Sequence, residues 1–182
     1  KYYNSAIAIL RVQKDSISIA SALLNAGDAY INMGKLQTAL EYTKESKDIF
    51  TRIKYPLGQA YSLGNLGMIY AKMGIDSKAE EDINKAILIL QDLSEHYPIC
   101  VYLTYMSDIY LEKGNKIQAF NYANRSLELA KKHNLKKEVS DANFKLSGLY
   151  ERFDNPRKSL SYFKEHIVYR DSVKNLESVQ QM

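Results

Sequence analysis

The side chains that carry most enzyme chemistry are few in this sequence and widely spaced. The three histidines are His96, His133 and His166, expected at two loops and a packing position, and the single cysteine is Cys100. No histidine belongs to a serine-histidine-acid constellation, and the sequence has no glycine-rich phosphate loop or paired His-Glu motif. Cys100 stands between two β-branched apolar residues, which is typical of a buried small hydrophobic side chain rather than a nucleophile. We therefore expect no catalytic residue, no metal site and no cofactor in this chain.

Two asparagines suggest a second kind of chemistry, hydrogen bonding to a ligand. Asn25 and Asn65 are forty residues apart. A side-chain amide can both donate to and accept from the backbone of an extended peptide. The same amides can instead cap or bridge helices. Two interpretations of these residues therefore stay open, a ligand contact and a structural bridge.

Length, composition and charge exclude several classes of protein. The chain has 182 residues, of which 46% are hydrophobic and 25% charged, so its composition is that of a folded protein. No apolar run approaches the roughly 20 residues that span a bilayer. The net charge of +4 is small for this length, and a solvated loop is expected for the basic cluster of Lys131, Lys132, His133, Lys136 and Lys137. We therefore expect neither a membrane span nor nucleic acid as a partner.

A repeat of forty residues organises the elements that position these side chains. Tyrosine recurs at Tyr30, Tyr70, Tyr110 and Tyr150, followed four residues later by Gly34, Gly74, Gly114 and Asp154. Small residues keep the same register at Gly27, Gly67, Ser107 and Ser147, and again at Ala39, Ala79, Ala119 and Ser159. Apolar residues at helical spacing precede and follow each glycine. The sequence therefore predicts an all-α array of helix pairs.

The residue types at the expected turns and helix contacts also favour an array of helix pairs. A glycine just past a helix end can adopt the left-handed conformation that closes the last turn, and Asp154 is among the next best residue types. We expect Pro56 and Pro98 to precede the first helices of the second and third repeats, and Pro156 to open the second helix of the fourth. The paired small residues are expected to let two backbones approach closely, so a bulky side chain there would overpack the pair.

The forty-residue register predicts where the repeats begin and end. Residues 1–13 are expected to form the second helix of a truncated leading repeat. Four repeats follow at residues 20–53, 57–93, 98–133 and 138–170. A C-terminal helical extension is expected over residues 171–182, leading toward a missing downstream region. About nine helices are therefore predicted, and we interpret the chain as a fragment of a longer protein.

With these residues in view, each repeat resembles a tetratricopeptide repeat (TPR). The clearest match is formed by Leu63, Leu66, Gly67, Tyr70, Gly74, Ala79 and Ala86, with leucine in place of the usual tryptophan. The period is 40 rather than 34, which is similar to the repeats of bacterial TPR sensor and signalling proteins and of Pins-type scaffolds. The resemblance implies an α-α superhelix, a TPR solenoid, whose first helices line a concave groove.

The resemblance also implies which residues face that groove. The family's inward-facing positions are occupied here by Leu24, Asn25, Asp28 and Asn32, by Gly64, Asn65, Met68 and Lys72, by Thr104, Tyr105, Asp108 and Glu112, and by Phe144, Lys145, Gly148 and Arg152. The candidates for contact with a partner are Asn25, Asp28, Asn32, Asn65, Met68, Lys72, Tyr105, Asp108, Phe144 and Arg152. Leu24 and Asp28 stand where a clamp for a C-terminal carboxylate would need lysine and asparagine, which argues against a chaperone-tail clamp.

The chain contains 15 tyrosines, a number that invites comparison with surfaces on which nucleotides stack. The four tyrosines at the repeated position are expected to pack in the core instead. Tyr61, Tyr102 and Tyr105 are less constrained, and we expect them to form an aromatic patch near the groove.

The resemblance implies a function in binding. We expect a protein or peptide to occupy the groove, and the chain to be the regulatory or sensory part of a larger bacterial signalling protein such as a histidine kinase, a nucleotide cyclase or a transcriptional regulator. An alternative stays open, in which the chain is a structural or oligomerisation scaffold without a groove ligand and forms a homodimer through its C-terminal helix. The sequence leaves the compartment, cytoplasmic or periplasmic, undetermined.

Overall fold

Helices form nearly all of the structure. The computed structural model describes the backbone of residues 15–180 and the side chains of residues 15–173, and within that range it contains eight helices and no strand. The helices are α1 (Ser16–Asn32), α2 (Leu36–Arg52), α3 (Pro56–Lys72), α4 (Asp76–Asp92), α5 (His96–Glu112), α6 (Lys116–Lys132), α7 (Lys136–Arg152) and α8 (Pro156–Gln180). The helix expected over residues 1–13, and the last two residues of the expected extension, lie outside the described residues. None of α1 to α8 is long and apolar enough to cross a membrane.

The helices fall into two compact units that divide between Ser94 and Glu95. In the first unit α1 packs against α2 and α3 against α4, while α2 and α3 join the two pairs. In the second unit α5 packs against α6 and α7 against α8, while α6 and α7 join the pairs. The first helices of neighbouring pairs also touch, α1 with α3 and α5 with α7. Each unit therefore holds two repeats, and we number the repeats 1 to 4 along the chain.

Turns of three residues connect the helices. Glycine occupies the left-handed position inside repeats 1 to 3, with φ of 72°, 81° and 74° at Gly34, Gly74 and Gly114, and Asp154 takes it in repeat 4 with φ of 54°. These four positions confirm the prediction made from the glycine register. The turns after α2, α4 and α6 use the same conformation at Lys54, Ser94 and Asn134, which the glycine pattern did not indicate.

The prolines lie in the first turns of their helices, which corrects the prediction that Pro56 and Pro98 precede those helices. Pro56 is the first residue of α3 and Pro156 is the first residue of α8. Pro98, however, is the third residue of α5 and does not precede it. A helix accepts proline there because its first four amide groups have no partner within the helix.

Glycine marks the places where the two helices of a repeat approach most closely. A Cβ added at Gly67 would lie 2.5 Å from Cγ1 of Ile83 and 3.0 Å from the carbonyl oxygen of Ala79. A Cβ added at Gly27 would meet Oγ1 of Thr43. The close approach expected in repeats 1 and 2 is therefore confirmed.

Repeats 3 and 4 use serine at the same contact. The hydroxyl of Ser107 donates to the carbonyl oxygen of Ala119 at 2.8 Å. The hydroxyl of Ser147 donates in the same way to the carbonyl oxygen of Ser159 at 3.0 Å. The larger side chain is tolerated because its oxygen forms a hydrogen bond with the facing backbone.

The repeated tyrosines pack within their own repeats. Tyr70 and Tyr110 are buried, and the rings of Tyr110 and Tyr122 stack with their centroids 5.5 Å apart. Equivalent stacks join Tyr30 to Tyr42 and Tyr150 to Tyr162. The core position predicted from sequence is therefore confirmed for Tyr70 and Tyr110, whereas Tyr30 and Tyr150 are half-buried and stack on the second helix of their repeat.

Candidate functional site

A cleft of about 390 Å³ opens between α5 and α7, the first helices of repeats 3 and 4. Its lining side chains are Tyr97, Cys100, Val101, Thr104, Tyr105 and Asp108 on α5, and Lys137, Glu138, Asp141, Phe144 and Lys145 on α7. Both sets are spaced by three or four residues, so each occupies one face of its helix. The volume falls within the roughly 300–1,000 Å³ typical of ligand pockets. The second unit thus contains a preformed site.

Three aromatic side chains of this cleft are exposed to solvent. Tyr97, Tyr105 and Phe144 are each about half exposed, and the ring of Phe144 lies 5.0 Å from that of His166 on α8. Aromatic rings offer a partner a large contact area at a low cost in conformational entropy. Such rings in a concave site are typical of residues that contact a ligand.

Five charged side chains line the same cleft. Lys145 on α7 forms an ion pair with Asp108 on α5, which connects the two helices and neutralises both groups. Lys137 and Asp141 are exposed, whereas Glu138 is only 8% exposed. Within the described part of the chain, neither Glu138 nor Asp141 has a hydrogen-bond or ion-pair partner. The cleft therefore holds two unpaired carboxylates and one paired carboxylate.

Cys100 belongs to the lining of the cleft but is not reactive. Its side chain is buried and its thiol lies 3.8 Å from the carbonyl oxygen of Ser126, to which it donates. Burial, assisted by the negative charge of Glu138, raises the pKa of the Cys100 thiol to about 12. Little thiolate therefore exists near neutral pH, and the prediction of a buried small hydrophobic residue is confirmed.

The cleft brings together five positions that the TPR resemblance placed in the groove. These are Thr104, Tyr105 and Asp108 on α5, and Phe144 and Lys145 on α7. The remaining predicted positions of these helices, Glu112, Gly148 and Arg152, are exposed and do not line the cleft.

The predicted groove residues of the first unit differ in exposure. The exposed ones are Asn25, Asp28 and Asn32 on α1 and Lys72 on α3. Asn65 and Met68 on α3 are 7% and 4% exposed. Partial desolvation raises the pKa of Asp28 above its ordinary value. The two asparagines at equivalent positions therefore have different environments, and only Asn25 is open to solvent.

The basic cluster is not the solvated loop that the sequence suggested. Lys131 and Lys132 end α6, and Lys136 and Lys137 begin α7. The cluster divides between two helices because the turn connecting them has only three residues. The ammonium group of Lys136 donates to the hydroxyl of Ser172 at 3.1 Å.

The aromatic and histidine predictions also need correction. Of the three tyrosines expected in one patch, Tyr61 lies in the first unit, Tyr102 is buried and Tyr105 alone lines the cleft. His96 is the first residue of α5 rather than a loop residue. Its ring stacks on that of His133 at the end of α6, with centroids 3.4 Å apart.

Sequence reasoning missed three important lining residues, Tyr97, Glu138 and Asp141. The family offsets begin at Thr104 and Phe144, about two turns after the starts of α5 and α7, so the first two turns of each helix were left out. A signal was present, because Glu138, Asp141 and Lys145 follow each other at spacings of three and four. Extending the helical face toward the N-terminus would have found them.

Comparison with known proteins identifies the class to which this arrangement belongs. The family model of the tetratricopeptide repeat matches residues 20–49 and 60–89, which fall on the helices of repeats 1 and 2. A search of curated protein sequences finds no match. The helix pairs define a helical repeat protein, a class whose folds are binding modules rather than catalytic domains. More particularly, repeats 1 and 2 are tetratricopeptide repeats, since they hold the two segments that match the family model.

Solved structures support the fold beyond the two matched repeats. BtubC from P. vanneervenii is 17% identical, with a TM-score of 0.70 over 94% of this chain and 72% of that chain. A Rap protein complexed with competence and sporulation factor is also 17% identical, with a TM-score of 0.70 over 87% of this chain and 46% of that one. A STAND signal transduction ATPase with a tetratricopeptide repeat sensor, from Pyrococcus horikoshii, is 20% identical, with a TM-score of 0.68 over 97% of this chain and 28% of that one. At these identities the likeness shows the fold alone, an all-α fold of repeated helix pairs.

Proposed function

We propose that this chain binds an extended segment of a protein or peptide, and that the cleft between α5 and α7 is a principal contact site. The observation that supports this proposal is the presence of three half-exposed aromatic rings in one preformed cleft. Large exposed rings grouped in a concave surface are costly in water and are typical of partner sites. Among the residues predicted from sequence, Tyr105 and Phe144 then supply apolar contacts.

The proposal extends to a regulatory or sensory role within a larger bacterial signalling protein. Two observations favour it. A Rap protein of the same fold has been solved with competence and sporulation factor bound, and a STAND signal transduction ATPase carries a tetratricopeptide repeat sensor. This chain spans 46% and 28% of those two proteins. Under the proposal an output domain such as a kinase, a cyclase or a DNA-binding domain accompanies this one in the whole protein.

A peptide-display selection tests the binding role. Random peptides displayed on phage are selected on the immobilised chain, and dissociation constants of the enriched peptides are measured by fluorescence anisotropy. Phe144→Ser is expected to weaken binding by at least about tenfold, because truncation of a central aromatic contact costs about 2 kcal/mol or more. Phe163→Ser on α8 removes an equally large exposed ring outside the cleft and is expected to leave the affinity unchanged. Unchanged affinity with Phe144→Ser would contradict the proposal.

The oligomerisation alternative rests on a separate surface. Leu160, Phe163 and Val168 on α8 are all exposed, and apolar side chains at this density favour association with another helix. Sedimentation equilibrium of the native chain and of Phe163→Ser separates the alternatives. A dimer that dissociates with Phe163→Ser, in a chain that selects no peptides, would favour the scaffold role.

A further inference from the structure

The charges of the cleft favour one chemical class of partner. Asp108 and Lys145 neutralise each other through their ion pair. The remaining charged groups of the lining are the carboxylates of Glu138 and Asp141 and the ammonium group of Lys137. The cleft therefore carries an excess of negative charge, although the whole chain has a net charge of +4.

Glu138 is the unusual member of this set. A carboxylate that is more than nine-tenths buried is normally paired with a cation or held by hydrogen bonds. Glu138 is 8% exposed, lines the cleft, and has no such partner among the described residues. Because Glu138 lines the cleft, a cation entering the cleft would find a largely buried carboxylate that no described residue already pairs.

Two further features of the lining suit a cation. Asp141 is three residues after Glu138, so the two carboxylates occupy neighbouring positions on one face of α7. The rings of Tyr97, Tyr105 and Phe144 line the same cleft, and the face of an aromatic ring attracts a cation. Carboxylates together with aromatic faces are the surroundings that a planar guanidinium group prefers, because it can form paired hydrogen bonds and stack at the same time.

We propose that the cleft receives a basic side chain, arginine in preference to lysine, from an extended partner segment. Glu138 and Asp141 bind the cationic group, and the three aromatic rings contact its planar face and its aliphatic stem. Lys137 is exposed beside Glu138 and disfavours a second basic residue next to the first. This inference rests on the proposed function and adds the chemistry of the ligand to it.

The display selection described above supplies the probe for this inference. Peptides enriched on the native chain are expected to share one arginine or lysine, and its replacement by glutamine in a synthetic peptide is expected to weaken binding by about ten- to a hundredfold. That range is the usual cost of removing a charge-assisted hydrogen bond, about 1.5–3 kcal/mol. Arginine at that position is expected to bind more tightly than lysine.

Variants of the chain test which residues bind the cation. Glu138→Gln conserves the shape of the side chain and is expected to weaken binding of the arginine peptide at least tenfold, while leaving the affinity for its glutamine version unchanged. Asp141→Asn, at an exposed position that tolerates substitution, is expected to weaken the same peptide several-fold. Glu128→Gln on α6, an exposed carboxylate outside the cleft, is the matched control. Circular dichroism of the three variants is expected to show the helicity of the native chain, which serves as the control for folding.

The outcomes separate this inference from the proposed function. The selection could yield peptides without a basic residue. If their binding is lost with Phe144→Ser but unchanged with Glu138→Gln and Asp141→Asn, the basic-ligand inference is overturned and the proposed peptide binding is retained. Peptides that bind Phe144→Ser as well as the native chain would overturn both. Arginine peptides whose affinity falls equally with Glu128→Gln would also overturn the inference, because the effect would then be long-range charge rather than contact.

Discussion

Replacing two glycines by alanine in separate experiments tests the close contact inside repeat 2. Gly67 on α3 and Gly148 on α7 both lie within helices, so both substitutions gain the same helix propensity and lose the same freedom in the unfolded chain. They differ in their surroundings. A Cβ at Gly148 would have no atom within 4 Å, whereas a Cβ at Gly67 would meet Ile83 and the backbone of Ala79.

The expected magnitude follows from these distances. At Gly148 the alanine is expected to raise the free energy of unfolding by about 0.5–1 kcal/mol. At Gly67 the new Cβ would lie 2.5 Å and 2.8 Å from two carbons of Ile83 and 3.0 Å from the carbonyl oxygen of Ala79. Ile83 is fully buried, so it has no space into which to move, and overpacking of this kind costs about 1–3 kcal/mol. Because the propensity gain is common to both, the two variants are expected to differ by about 1–3 kcal/mol.

The assay is urea denaturation followed by circular dichroism at 222 nm, combined with hydrogen exchange. Because repeat proteins unfold by local steps, the amides of α3 and α4 are expected to lose protection in Gly67→Ala, and those of α7 to gain it in Gly148→Ala. Equal denaturation midpoints, or a stabilised Gly67→Ala, would refute the contact between Gly67 and the second helix of its repeat.

Two further predictions concern a buried hydroxyl and a titrating histidine. Thr43 is fully buried and its Oγ1 has no hydrogen-bond partner among the described residues, so Thr43→Val is expected to raise the free energy of unfolding by about 1 kcal/mol. A lower urea midpoint for this variant would contradict that reasoning. The pKa of His133 is lowered by partial burial and by the charges of the neighbouring His96 and Lys132. As the pH falls below about 6.5, the unfolded chain therefore protonates His133 before the native chain does. The native chain is therefore expected to lose stability as the pH falls through about 6.5, and His133→Gln is expected to lose less. An identical loss in thermal melts of the two proteins would show that His133 is not responsible.

The fold could be predicted from sequence because its determinants are local and repeated. The left-handed turns at Gly34 and Gly74 depend on residue type within a few positions, and the helical spacing of apolar residues depends on one helix at a time. The same is true of the small residue at Gly67, whose register with Ala79 appears in every repeat. Four copies of one pattern made the interpretation of helix pairs specific.

The candidate site could be predicted only in part. Tyr105 and Phe144 were identified because they occupy offsets that the family pattern assigns to the groove. Tyr97 and Glu138 were not, because the cleft extends over the first turns of α5 and α7, where those offsets do not reach. Asn65 was expected at the groove, yet its side chain is buried, and exposure depends on neighbours that sequence position does not specify.

By itself, then, the sequence determined the helix pairs, the turn inside each repeat and the small residues at which two helices of a repeat meet. Only the tertiary structure decided that Lys145 pairs with Asp108, that Ser107 donates to the backbone of the facing helix, and that Glu138 has no partner among the described residues. The physical reason is that these interactions act over different separations along the sequence. Helix and turn formation depends on residues within about four positions of each other, whereas the pairing and burial of a polar side chain depend on atoms that packing brings from residues a dozen or more positions away.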